Sequence, residues 1–211
     1  MRYVRITRAH DDEVDLFELG DDHRPVRQVT LTGPDRTPTV AADLDEITRL
    51  RANWAPVVME LYEQTYGVLT ETPVPAGEAP ESCAESVSSR DFALAWGAAR
   101  SFRQCEVPND SGPFPDGTRL TGTVARTPWP SGVTGLFVDL GLPVGGFVDV
   151  VHLPYDGADW PAEDTVVAFE IVTVRAWPPQ IRLRPLDGLS RRTPPRGSPP
   201  PAAPSPRPWP P

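Results

Sequence analysis

The chain is 211 residues long, 39% apolar, with 28 prolines and a net charge of −9. That length suits one ordinary domain or two small ones, and no run approaches the ~20 apolar residues needed to cross a bilayer. So acidic a chain is a poor general binder of polyanions, because phosphate neutralisation supplies most of that affinity, and any nucleic-acid site must be a local patch.

In chain order, RYVRITR (2–8), VDLFEL (14–19) and VRQVTL (26–31) read as three strands of an antiparallel meander, with GDDHRP (20–25) as a turn and TGPDRTP (32–38) closing it. DLDEITRLRANW (43–54) reads as helical or mixed, as does the run after it, with Asp43 as N-cap and Glu46 three residues on, as in a capping box. PVVMELYEQTYGVL (56–69) follows with Pro56 in a first helical turn. TETPVPAGEAPES (70–82) reads as a loop. In SSRDFALAWGAARSF (88–102), Phe92, Ala95, Trp96 and Ala99 recur at helical spacing behind a serine cap. An α+β unit over 1–104 is expected, then a linker at 105–116 rich in turn residues.

Beyond the linker the period changes. TRLTGTVAR (118–126), LFVDL (136–140), FVDVV (147–151), TVVAFEIVTV (165–174) and QIRLR (180–184) are five strand candidates, and the one long connector, 152–164, lies between the third and fourth. That is the pattern of a five-stranded OB-fold, a Greek-key barrel, here over 117–190. Gly122 suits a strand that bends as the barrel closes. Alternation puts Leu136, Val138 and Leu140 on one face and Phe137 and Asp139 on the other; Val148 and Val150 likewise oppose Phe147 and Asp149. Residues 191–211 hold four arginines, no acid and a dense run of prolines, so a disordered, polyproline-like tail is expected.

Cys83 and Cys105 read as two reduced thiols, since the N-terminus lacks the apolar core of a signal peptide and a cytoplasmic location is expected. His10, His23 and His152 are scattered, without metal-ligand spacing. The acidic run Asp11, Asp12, Glu13 and Asp15 reads as a solvated turn rather than a cation site. No nucleophile elbow, phosphate loop or zinc signature appears, so no enzymatic activity, metal or cofactor is expected.

Residues 117–185 resemble the ribosomal S-one-type OB-fold RNA-binding domain. The matching pieces, in order, are GTRLTGTV (117–124), GLFVDLG (135–141), GFVDV (146–150), VVAFEI (166–171) and IRL (181–183). Residues 1–100 resemble, more loosely, an uncharacterised small bacterial domain, through Tyr3 and Arg5 before His10 and Asp11, FEL–DD (17–22), VRQV (26–29), LTETPVP (69–75) and the Ser88–Trp96 segment. That second likeness supplies architecture and no activity. The first implies binding of RNA, or single-stranded nucleic acid, on the outer face of strands two and three, where Phe137 matches a stacking aromatic. This chain departs from the pattern at three positions. Thr134 replaces a second aromatic, Asp149 replaces the usual third-strand histidine, and Val172 replaces an acidic residue.

The candidate nucleic-acid residues are Phe137, Phe147, Asp149, Arg126, Trp129, Trp177, Arg182 and Arg184. Each also has a plain packing reading. The phenyl rings cover an interface, the tryptophans staple loops beside prolines, and the arginines form a solvated face. The alternative function is a protein-interaction or immunity-type module using the same barrel face; a hydrolase built on clustered carboxylates is the third reading.

Overall fold

The computed structural model describes residues 1–8, 12–74, 82–106, 109–110, 112–126 and 134–186, with backbone alone at 82, 83, 106 and 126. Trp129, Asp11, His10 and the tail at 191–211 lie outside the described residues.

The N-terminal half is a five-stranded antiparallel sheet: β1 (Arg2–Arg8), β2 (Glu13–Leu19), β3 (Pro25–Thr32), β4 (Thr37–Asp43) and β5 (Ser82–Ser86), in the order β4-β3-β2-β1-β5. The meander expected over β1–β3 is present. Two strands were not: β4 runs through the end of the proposed closing turn, and β5 begins at Ser82, the last residue of the proposed loop.

Three helices complete this half: α1 (Leu44–Asn53), α2 (Pro56–Tyr66) and α3 (Ser89–Glu106). Asp43 caps α1, accepting from the Asp45 and Glu46 backbone amides at 2.8 and 3.2 Å. The reciprocal half of the expected capping box is missing, because Glu46 turns instead to the Tyr62 hydroxyl at 2.6 Å and the Arg100 guanidinium at 2.9 and 3.0 Å. A partly buried ion pair therefore ties α1, α2 and α3 together. The cap of α3 is Ser88, which accepts from the Asp91 amide at 3.1 Å. The acidic run beside β2 holds no open cation cradle in its described part: Arg8 reaches Glu13 and Asp15 at 3.0 and 2.9 Å, and Arg36 lies 3.4 Å from Asp12.

The C-terminal half closes into a barrel of β6 (Arg119–Arg126), β7 (Gly135–Asp139), β8 (Gly146–Asp149), β9 (Val166–Ala176) and β10 (Pro179–Pro185). The order around the barrel is β10-β8-β7-β6-β9, with β10 parallel to β8 and every other neighbour antiparallel. A three-stranded meander closed by a last strand lying parallel to its third member fits the OB-fold. Two short 3-10 turns, Val150–His152 and Gly157–Asp159, occupy the long connector. Alternation fills the barrel as expected with Val124, Leu136, Val138, Val148, Phe169, Ile171, Ile181 and Leu183, each at most 2% exposed. Val144, in the β7–β8 loop, is buried with them. Gly122 is required by space, since a Cβ there would stand 2.4 Å from Val138 Cγ1 and 2.7 Å from Leu140 Cδ2. One continuous apolar cluster runs from the barrel core to Val58, Leu61 and Tyr62 of α2, and α2 packs against β9.

Candidate nucleic-acid interface

Register builds the site. Phe137 on β7 stands opposite Phe147 on β8, and Phe147 stands beside Arg182 on β10. Directly opposed residues share one face of a sheet, so two phenyl rings and a guanidinium form a row across three strands. The rings meet edge to face with centroids 5.1 Å apart, and the guanidinium lies 4.7 Å from the Phe147 centroid. These are the geometries favoured by the aromatic quadrupole and by cation–π attraction.

The next pair on that face of β7 and β8 is Gly135 with Asp149. A hollow opens beside this carboxylate. It measures about 420 Å³ and is lined by Thr134, Phe137, Phe147, Asp149, Val150, Gln180 and Arg182. Asp149 Oδ1 accepts from the Val151 amide at 3.1 Å and starts the first 3-10 turn, which swings Val150 out of strand alternation and onto the rim. Asp149 Oδ2 lies 3.9 Å from Arg182 Nη1, too long for a hydrogen bond. Gln180 precedes Arg182 by two residues on β10 and so shares its outward face.

The structure thus gathers Phe137, Phe147, Asp149 and Arg182 at one place. Two expectations need correction. Phe147 is not an exposed ring: it is 8% exposed, covered by Phe137 and Arg182, so the accessible aromatic surface is that of half-buried Phe137. Val150, expected inside the barrel, lines the site.

The remaining candidates separate from this row. Arg184 pairs with Glu170 of β9 at 2.5 Å. Trp177, in the β9–β10 turn, packs against the core cluster, and its carbonyl accepts from Arg175 Nε at 3.1 Å; it does not line the hollow. Arg126 stands opposite Phe137 in the β6–β7 register, with only its backbone described. Asp139 and Asp156 face their own turns, accepting from the Gly141 and Ala158 amides at 2.9 Å each. Gln180 and Val150 were missed from sequence, although Gln180, Arg182 and Arg184 share one side of an alternating strand, a signal that would have found the first.

A second hollow, about 380 Å³, lies between α1 and α2 beside Trp54, Pro56 and Met59, with Glu60 and Glu63 on its wall. Its carboxylates make it a poor seat for a phosphate chain. Among the described residues, no three His, Cys, Asp or Glu side chains are grouped to hold a metal ion, and no helix is long and apolar enough to cross a membrane.

No family model and no curated protein matches the sequence. Solved structures give partial likenesses. A chain of the a/eIF2alpha–aDim2p–rRNA complex from Pyrococcus horikoshii OT3 matches at 19% identity and TM-score 0.28, over 33% of this chain and 42% of that one. The intact alpha subunit of aIF2 from Pyrococcus abyssi matches at 19% identity and TM-score 0.28, over 36% and 28%. A multidomain protein with nucleic acid binding domains from Streptococcus pneumoniae TIGR4 matches at 13% identity and TM-score 0.25, over 91% of this chain and 51% of that one. The chain spans about half or less of each of these proteins.

Proposed function

We propose that the β7–β8–β10 face binds single-stranded nucleic acid, RNA in the first instance, and that the protein acts as a binding module without catalysis of its own. The observation that carries this reading is the row Phe137–Phe147–Arg182 bordering an open hollow on the outside of a closed barrel. Base stacking on an aromatic ring contributes about 1–3 kcal/mol per base and tolerates any sequence, since every base has a π-face. Strands two and three of an OB barrel are the surface on which that fold meets oligonucleotides.

Charge sets the style of binding. Arg182 is offset by Asp149, Arg184 by Glu170, and the whole chain is acidic. Contacts with phosphates are therefore few, and affinity comes from bases. In single strands the slope of log K against log salt is about −0.7 per phosphate neutralised, so a slope of roughly −1 is expected.

The test is fluorescence anisotropy of a labelled twelve-nucleotide RNA titrated with the full chain, at low and at physiological salt. Phe137→Ala is expected to weaken binding about thirtyfold, the middle of the stacking range, while far-UV circular dichroism stays unchanged. Absence of binding at low salt, or unaltered affinity in the variant, rejects the reading and directs attention to a protein partner for the same face.

A further inference from the structure

We propose that the hollow takes a single base, that this base is guanine, and that Asp149 reads it; this rests on the nucleic-acid reading above. The hollow holds both donors and acceptors. Asp149 is acceptor only, Arg182 is donor only, and Gln180 and Thr134 offer both. One anion and one cation make the set neutral, which favours the edge of a base over a phosphate.

The Asp149–Arg182 pair is open. At 3.9 Å it lacks a direct hydrogen bond, and Asp149 Oδ2 accepts none among the described residues. The Gln180 amide likewise has no hydrogen-bond partner among the described residues, and Thr134 Oγ1 is buried without one. A buried polar group such as Thr134 Oγ1 is costly in this state unless a ligand or water supplies a partner, and the Asp149 carboxylate, 44% exposed, is open to an incoming donor. A carboxylate beside a guanidinium presents acceptor, acceptor, donor. Guanine's Watson–Crick edge is the complement: N1–H and the N2 amino group are adjacent donors, and O6 next to them is an acceptor. Adenine offers one donor group beside an acceptor nitrogen. Cytosine offers one donor and two acceptors. Uracil places its one donor between two acceptors that the carboxylate repels. Single-stranded RNA exposes these edges for such reading.

The experiment compares labelled RNA twelve-mers of uridine carrying one central guanosine, inosine, adenosine, cytidine or uridine, each titrated with the full chain at one salt concentration. A well-formed bidentate base contact discriminates by about tenfold, so the guanosine strand is expected to bind about tenfold tighter than the adenosine and uridine strands, with inosine, which lacks the N2 amino group, between them. Asp149→Asn is the matched variant, because asparagine also starts a helical turn as an N-cap and the connector keeps its geometry. It is expected to bring the ratio of guanosine-strand to uridine-strand affinity to about one. Equal affinity for all five strands, or a uniform loss in Asp149→Asn, overturns the guanine assignment and leaves the binding function standing. No binding by any strand overturns both.

Discussion

Gly135 is the residue on which the site geometry turns. Its φ is +140°, and a Cβ there would stand 2.0 Å from the Val148 carbonyl oxygen and 3.0 Å from the Phe147 ring. The first contact is with backbone, which cannot swing aside. Gly135→Ala is expected to lower stability by about 1–3 kcal/mol from backbone strain alone and to shift Val148 and the Phe147 ring that borders the hollow. Urea unfolding and RNA anisotropy measured together check this. A variant as stable as the parent, with unchanged affinity, contradicts the account. The neighbouring rings divide their labour differently. Phe147 is held on two sides and belongs to the packing, whereas half-buried Phe137 is the one with surface to offer a base.

Among elements, the three helices are joined through one ionic contact. Burial pushes the Glu46 carboxyl above the usual carboxylate range, against the opposing pull of the Tyr62 hydroxyl and the Arg100 guanidinium. A carboxyl whose pKa is raised on folding contributes stability at low pH, and that contribution is lost as pH rises through the folded value. The wild-type protein is therefore expected to gain stability relative to Glu46→Gln as pH falls from neutrality toward 4.5, the ordinary glutamate value. Urea midpoints of both proteins at the two ends of that range measure it; a difference that does not move with pH is the contrary result. The Arg100 guanidinium also lies 3.5 Å from the Tyr66 ring centroid, so the same side chain serves α1 and α2 at once.

The strands whose side chains alternate between core and solvent were legible in sequence, and so were the caps at Asp43 and Ser88. β4 was hidden because its residues, TPTVAAD, follow a turn-rich stretch and run straight into a helix cap. β5 was hidden because SCAES is short, polar and paired on one side only, with β1. The closeness of Phe147 to Arg182 was not legible either. It depends on a parallel pairing between β8 and β10, and nothing local to either strand encodes which neighbour it will lie against.

For the whole molecule, the sheet with its helices and the barrel are continuous in their apolar interior. Gly112, between the two halves, also lies against α2, where a Cβ would stand 2.0 Å from Gln64 Oε1. Two halves that share buried surface stabilise each other. Unfolding is accordingly expected as one transition, with coincident midpoints by far-UV circular dichroism and by tryptophan fluorescence, which has reporters in both halves at Trp54, Trp96, Trp160 and Trp177. Two separated transitions would mean that the halves fold independently.

The parallel β8–β10 ladder has a consequence in time. β6, β7 and β8 can pair as they are made, but Arg182 reaches Phe147 only when the last strand docks between β8 and β9. Contacts of such long sequence separation form late. The Phe147–Arg182 row is therefore complete only once the chain through Pro185 has been made, and on the proposed binding reading an RNA strand seated there would hold the final seam of the barrel shut, a latch on the finished fold.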